Sequence, residues 1–363
     1  MTRDPVQRDH RFYLSRLTIE AVRNLQTNTF ELHPGLNGFV GENGAGKTSI
    51  LEAVHLLGAG RSFRSHSSQD YIRHSENCAL ISARLVSDAQ IQQLGMQRCR
   101  QKMLLKHNGE QIERLSDFIR LLPVLTLHPG SDALISGSPE HRRRFIDRGV
   151  FHAIPAFGRW FGRYQRLLKQ RNAALKQGHD ERLWESGLIE AAEHIESMRR
   201  EFIDKLQEIV AKQAQIMGNS PKVELHYQPG YRQEMCFADA LDHSRQRDRD
   251  LGSTQVGPHR ANLVIRYNGH NADSTASRGQ IKTLVSLLTL GTLVLWRETY
   301  SRMAVVLFDD LPSELDRDHF DYLIHWLKNS GHQALITAVE PAALASDMDR
   351  LFSVQQGVVR ELL

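Results

Sequence analysis

Cysteine is scarce: Cys78, Cys99 and Cys236 are the three cysteines in 363 residues, widely spaced and odd in number. So sparse a set excludes a disulfide framework and a thiolate metal centre, and the expectation is a reducing, cytoplasmic setting without disulfides. Long apolar runs are also missing. The longest nearly apolar stretch, Leu284 to Trp296, has 13 residues and includes Ser286, Thr289 and Thr292, so no membrane span is expected. The N-terminal segment MTRDPVQRDHRF is charged and lacks the apolar core of a signal peptide. Internal repeats and low-complexity tracts are absent, which excludes a solenoid. Nor is one sign of charge in large excess: 46 Lys+Arg against 42 Asp+Glu leave +4, which excludes a uniformly basic, histone-like binder. What remains is an ordinary globular composition, 40% hydrophobic and 24% charged. The chain is long enough for two domains, or for one with a large insertion.

The charge is unevenly placed. From His141 to His179 stand ten basic residues: Arg142, Arg143, Arg144, Arg148, Arg159, Arg163, Arg166, Lys169, Arg171 and Lys176. Asp147 is the one acid there, so these 39 residues carry +9 and the rest of the chain −5. Six of the 26 aromatics share the segment: Phe145, Phe151, Phe157, Trp160, Phe161 and Tyr164. Cations interleaved with aromatics suit a surface that neutralises phosphates and stacks on bases. A solvated helix face would carry the same charge, so charge alone leaves both readings open.

Periodicity predicts strands at Leu14 to Ala21, Thr29 to Leu32 and Asn37 to Val40, then a Gly-rich loop and a helix over Lys47 to Leu57. Strands follow at Leu80 to Val86 and Lys102 to His107, with Asn108-Gly109 as a hairpin turn. Two long helices come next. On the first, Phe157, Phe161, Tyr164, Leu168 and Leu175 line one face, opposite Arg159, Arg163 and Arg166. The second runs from Leu183 to Met217, with Leu188, Ala192, Ile195, Phe202, Leu206, Ile209 and Ile216 at near-heptad spacing, interrupted by Arg199 and Gln213. Together they read as a helical hairpin inserted in an α/β body. Strands at Val223 to Tyr227 and Leu263 to Tyr267, a buried helix over Ile281 to Arg297, and strands at Ala304 to Phe308 and Ala334 to Val339 complete the pattern.

Gly41-Glu42-Asn43-Gly44-Ala45-Gly46-Lys47-Thr48 satisfies GxxxxGK[ST], between a strand and a helix and followed by Ser49. The glycines let successive N–H groups turn toward a phosphate, and the helix adds its positive end. Lys47 would reach the β- and γ-phosphates and the Thr48 hydroxyl would hold Mg²⁺, so the expected ligands are ATP and Mg²⁺. Downstream, Val305-Val306-Leu307-Phe308 runs into Asp309-Asp310. Asp309 fits the Mg²⁺-side carboxylate, and Asp310 the group that orients or deprotonates the attacking water. Ala276-Ser277-Arg278-Gly279-Gln280, just ahead of a helix, resembles the signature of ABC-type ATPases. Ser313-Glu314-Leu315-Asp316 resembles their D-loop. Ser277, Arg278, Gly279 and Gln280 would cap a γ-phosphate presented by a second subunit.

In this order the motifs make the chain resemble the RecF family, bacterial ATPases related to SMC proteins. The stretches that carry the resemblance are LTIEAVRNLQ with Arg23-Asn24, GENGAGKTSILEAVHLLGAGRSFR, GSPEHRRRFID, LLKQRNAALK, GPHR, SRGQIK and LFDDLPSELD. The resemblance implies an α/β fold: an ABC/SMC-type ATPase head with an inserted, mostly helical second lobe. The expected boundaries are 1–125 and 251–363 for the ATPase parts and 126–250 for the insertion. It implies weak, DNA-dependent ATP hydrolysis by Asp310 and Lys47 that switches a homodimer on single-stranded, double-stranded or gapped junction DNA. It further implies cooperation with RecR and RecO, and indirectly RecA, in gap repair, replication restart and the SOS response. The DNA contacts would be Arg142, Arg143, Arg144, Arg159, Arg163, Arg166 and Lys169, with Arg98, Arg100, Lys102 and Lys106 as lesser candidates. The chain departs from ABC patterns in three places. No Gln stands where a Q-loop belongs (His128-Pro129 lies there), Ile336-Thr337-Ala338 occupies the place of a switch histidine, and Asp310 stands for a Glu. Ala261-Asn262 follows GPHR where family members often have an acid, and Gly257 to Arg260 receives no role beyond a Gly-Pro turn. The alternatives are an ATP-binding interaction module, or an ABC-type ATPase subunit whose partner supplies the main activity.

Overall fold

Three short apolar runs, Leu36–Val40, Val305–Phe308 and Gln333–Ala338, are buried at every position. Strands buried on both faces belong in a parallel sheet. In the computed structural model, which describes residues 12–65, 67–88, 90–216, 221–314 and 317–362, they form the middle of a six-stranded sheet. Its order is Val358–Glu361, Arg350–Gln355, Leu36–Val40, Gln333–Ala338, Val305–Phe308, Val124–Leu127, parallel except at the Val358–Glu361 edge.

A second six-stranded sheet, wholly antiparallel, has the order Asn28–Glu31, Phe12–Glu20, Cys78–Ser87, Gln90–Cys99, Met103–His107, Glu110–Ile112. The predicted Asn108-Gly109 turn has φ of 51° and 87°, the positive pair that a two-residue hairpin needs. The sheets meet through Phe30, Phe39 and Phe352, with ring centroids 5.0–5.7 Å apart. Gln333, fully buried, ties them by polar bonds: its amide accepts from Leu14 N–H at 2.9 Å and donates to Leu14 C=O at 2.8 Å. The helix Lys47–Ala59 is buried along nearly its whole length. These elements make the first of two units, Met1–Pro129 with Met303–Leu363.

The second unit, Gly130–Arg302, is mostly helical. It carries the predicted hairpin, Phe157–Gln177 and Glu185–Ile216, with the helices Pro139–Ala153, Phe237–Leu251 and Arg278–Tyr300. A three-stranded antiparallel sheet, His270–Asn271, Asn262–Tyr267, Val223–Gln228, completes it. Arg199, expected to interrupt the apolar stripe, is 1% exposed and anchors the unit instead. Its guanidinium donates to Asp147 at 2.7–2.8 Å and to the Pro258 carbonyl at 2.8 Å. Met217, the expected end of that helix, lies outside the described residues.

The structure differs from the expectations at three points. The boundary at 250/251 moves to 302/303, so the signature segment belongs to the second unit. Cys78 and Cys99 form a disulfide, because they sit directly opposite each other in the strand register with Cα atoms 4.1 Å apart; sequence spacing cannot reveal such pairing. Cys236 remains a thiol. Finally, the apolar stretch from Leu284 belongs to a 23-residue helix, long and apolar enough to cross a membrane, but 67% of its apolar window is buried inside the protein, as in a core helix. Trp296, fully buried, donates its indole N–H to the Gly149 carbonyl at 2.9 Å.

Candidate nucleotide site

The loop 41–46 leaves the central strand Leu36–Val40 and turns into the helix Lys47–Ala59. Gly41 and Gly46 have φ of 154° and 117°. A Cβ at Gly41 would meet the Val354 carbonyl at 2.2 Å, and one at Gly46 would meet Leu25 at 2.8 Å. Both positions therefore demand glycine. The loop is braced from outside: Asn24 donates to Gly44 C=O at 2.8 Å, and Gly357 N–H, in the turn of the Arg350–Glu361 hairpin, bonds Ala45 C=O at 2.9 Å. Ser49 donates its hydroxyl to Asn24 Oδ1 at 3.3 Å, and both residues line the same cleft as the loop. Glu42, Asn43 and Gly44 are exposed, and Ala45 is half-buried.

Lys47 is 7% exposed, and its ammonium donates to the carbonyls of Gly41 and Glu42 at 2.6 and 2.9 Å. Burial lowers its pKa, opposed by the fields of Asp310 and Asp309. From the far part of the chain the parallel register brings in Asp309, 8% exposed, whose carboxylate accepts from Thr48 Oγ1 at 2.8 and 3.1 Å. Burial raises the Asp309 pKa, and the bonds from Thr48 and Thr337 oppose that rise. Asp310 follows with φ of 56°. Lys47, Thr48, Asp309, Asp310 and Asn43 all line one cleft of about 690 Å³. A hydroxyl beside one buried carboxylate, with room for phosphate oxygens, is a donor set that suits Mg²⁺, which takes few protein ligands and keeps water and phosphate for the rest. Thr48 and Asp309 are the residues that would hold it. No cluster of three or more His, Cys, Asp or Glu suited to a metal occurs among the described residues, so an all-protein metal cage is not offered.

Sequence reasoning gave no role to several residues at this cleft. Glu52, fully buried in the phosphate-loop helix, receives Arg23 on both oxygens at 2.7 and 2.8 Å, with Arg64 at 4.0 Å. A carboxylate inside an apolar helical period was the available signal. Arg23 and Arg64 line the cleft, as does Thr337. Pro129 also reaches the cleft wall, whereas the His128 ring packs on Phe63 at 4.8 Å.

The signature segment, in the second unit, opens the helix Arg278–Tyr300. Ser277 is its N-cap: its main-chain N–H donates to Gln280 Oε1 at 2.8 Å and its hydroxyl accepts from Gln280 N–H at 3.4 Å, a capping box. Ser277, Arg278 and Gly279 are exposed, and no atom stands within 4 Å of where a Gly279 Cβ would be. Of the D-loop residues, Ser313 is exposed and its N–H turns back to Asp310 C=O at 3.0 Å. Glu314 ends the short helix Leu311–Glu314, and Asp316 lies outside the described residues.

The basic segment divides into interior and surface. Arg142 is 6% exposed and spends its guanidinium on Asn262 Oδ1 and the carbonyls of Ile135 and Gly137, at 2.8–3.2 Å. As a DNA contact it is withdrawn. Arg143, partly buried, donates to the Ala261 carbonyl at 2.8 Å. Arg171, fully buried, pairs with Asp248 at 2.8 Å and Glu185 at 3.1 Å. Arg159, Arg166 and Lys169 are exposed. Arg163 pairs with Glu190 at 2.9 Å, and both Arg159 and Arg163 lie over the Trp160 ring, 5.3 and 5.4 Å from its centroid. Arg144 pairs with Glu140 on the same helix. Arg100, Lys102 and Lys106 are exposed on the antiparallel sheet of the first unit, and Arg98 is half-buried. The GPHR segment is a packing centre. His259 Nε2 meets the Thr254 carbonyl at 3.0 Å, so that nitrogen carries the proton and Nδ1 accepts the Tyr164 hydroxyl at 2.7 Å.

Residues 13–360 match the RecF/RecN/SMC N-terminal domain family. The chain is 37% identical over 358 residues to the DNA replication and repair protein RecF of Shewanella baltica strain OS155, covering 95% of this chain and 98% of that protein. To the same-named protein of Thioalkalivibrio sulfidiphilus it is 37% identical over 355 residues, covering 96% and 99%. Among solved structures, the recombination mediator protein RecF with ATP in the RecFOR pathway superposes with a TM-score of 0.90 at 24% identity, covering 99% of this chain and all of that one. An Smc head bound to the winged-helix domain of ScpA superposes at 0.60 with 15% identity, covering 96% and 97%, a likeness of fold. With the SMC-type head fold and the relatives' RecF name in agreement, the chain belongs to the RecF family of DNA replication and repair proteins.

Proposed function

We propose that the chain is an ATP-dependent, DNA-binding recombination mediator acting in the bacterial cytoplasm, a weak ATPase that uses hydrolysis as a switch. The observation that carries this reading is the convergence of Lys47, Thr48, Asp309 and Asp310 on one cleft beneath a loop of glycine-enforced geometry. The loop N–H groups and the Lys47 ammonium bind and orient the triphosphate. Thr48 and Asp309 would hold Mg²⁺, which would supply charge neutralisation for the triphosphate. The Asp310 carboxylate accepts a proton from the attacking water as its oxygen bonds to the γ-phosphorus and the bond to the β-phosphate oxygen breaks, giving ADP and phosphate. Ser277 and Gly279 of a second subunit cap the γ-phosphate. The dimer then offers ATP contacts that the monomer lacks, and binding energy becomes dimerisation energy. DNA is held through phosphates by Arg144, Arg159, Arg163, Arg166 and Lys169, with Arg143 at the edge of that set, which gives selectivity for DNA shape rather than sequence. Gapped or single-strand/double-strand junction DNA is the intended substrate, with RecR and RecO as partners that help load RecA.

The test of the enzyme is ATP turnover with double-stranded DNA present. Asp310→Asn lowers kcat by about 100-fold or more while ATP affinity stays within a few-fold. Equal turnover in the two proteins would favour an interaction module in which ATP is a structural ligand.

A further inference from the structure

Thr337 stands, fully buried, on the strand beside the two acids. Its Oγ1 accepts the Asp310 main-chain N–H at 2.8 Å and donates to Asp309 Oδ1 at 3.0 Å. The directions are fixed: an amide can only donate, and a hydroxyl has a single proton, which therefore goes to the carboxylate. On the other side of the same strand end, the Asp309 N–H is taken by the Leu127 carbonyl at 2.9 Å. The chain thus leaves the strand Val305–Phe308 gripped from both neighbours, by a main-chain bond at Asp309 and by a side-chain bond at Asp310. Asp310 then adopts φ of 56°, a left-handed turn that costs a non-glycine residue about 1 kcal/mol and must be held by its surroundings.

We propose that Thr337 is a positioning residue for ATP hydrolysis, its one hydroxyl fixing both the rotation of the Asp309 carboxylate and the turn that aims Asp310 at the attacking water. The inference rests on the reading of this cleft as an ATPase site. Valine is nearly isosteric with threonine and equally suited to a strand, but it would leave the Asp310 N–H without its acceptor and the Asp309 carboxylate with one donor fewer. Serine keeps the hydroxyl.

Thr337→Val and Thr337→Ser are compared with the unmodified chain for steady-state turnover with Mg²⁺ and double-stranded DNA, equilibrium binding of a fluorescent ATP analogue, and thermal melting. The expected result is a fall in kcat of about 10- to 100-fold for Thr337→Val, with KM and analogue affinity within about threefold, and near-full turnover for Thr337→Ser. Unchanged kcat in Thr337→Val overturns the inference and leaves the ATPase reading standing. Equal losses in both variants, or a joint collapse of nucleotide affinity and melting temperature, overturn it in favour of a merely structural threonine. Turnover by the unmodified chain no greater than that of Asp310→Asn overturns the ATPase reading beneath it.

Discussion

The two units use charge in opposite ways. In the first, the charged residues of the phosphate loop and strand end face a common cleft, where burial shifts Lys47 and Asp309 in opposite directions. In the second, the charges concentrated between His141 and His179 divide between the interior and the surface. Arg142 and Arg171 lie inside, and Asp147 pairs with the buried Arg199 of the helix Glu185–Ile216. A dense basic stretch is therefore two populations: arginines that organise buried carbonyls and carboxylates, and cations left for a partner. The difference teaches that a motif built on backbone geometry can be placed residue by residue, whereas a charge cluster must first be sorted by burial.

Separating the two populations by mutation gives the largest expected effect. Arg199→Ala leaves Asp147 and the Pro258 carbonyl without their donor inside the second unit and should cost about 3–5 kcal/mol of stability, read as a lower denaturation midpoint. A loss under about 1 kcal/mol would place Arg199 with the surface cations. Next comes the surface set. Neutralising Arg159, Arg163 and Arg166 together should weaken DNA binding by about 100-fold at low salt and reduce the log–log salt slope by about 2 to 3, while sparing ATP binding. An unchanged slope would assign these arginines to a solvated face.

The smallest effect concerns His259. Burial lowers its imidazole from the ordinary 6.5 to about 4. The unfolded chain therefore takes up a proton below about pH 6.5 that the folded unit refuses, so this contribution to stability is whole above that pH and lost as pH falls toward 4. By about pH 5 the loss is on the order of 2 kcal/mol. His259→Gln, which can keep both hydrogen bonds, should show a flatter stability profile between those pH values; an identical profile would remove His259 from the account.

Much of the first unit could be read from the sequence because its signals are local. GxxxxGK[ST] fixes a loop whose geometry only glycine permits, and the fully apolar run before Asp309 could only be a strand buried on both faces. The approach of Asp309 to Thr48 needed the second half of the motif and the order of the segments, which the RecF resemblance supplied. What stayed hidden depends on register and burial across long separations. Cys78 and Cys99 pair because a hairpin brings position 78 opposite position 99. Thr337 matters because a parallel neighbour sets its hydroxyl between two acids. Arg199 looked like a flaw in an apolar stripe, since periodicity counts a buried ion pair as an interruption. The second compact unit ends at Arg302 rather than at the expected 250, because the strands and the helix that follow position 251 look alike in either lobe.

The central claim is that ATP joins two copies through the signature of one and the phosphate loop of the other. Gly279→Arg tests it most directly, because Gly279 is exposed and a Cβ there meets nothing within 4 Å beyond its chain neighbours and its own helix backbone, so the monomer should fold unchanged. Light scattering with Mg²⁺-ATP and gapped DNA should find the unmodified chain as a dimer, and Gly279→Arg as a monomer that still binds ATP. A Gly279→Arg protein that dimerises normally would contradict the account.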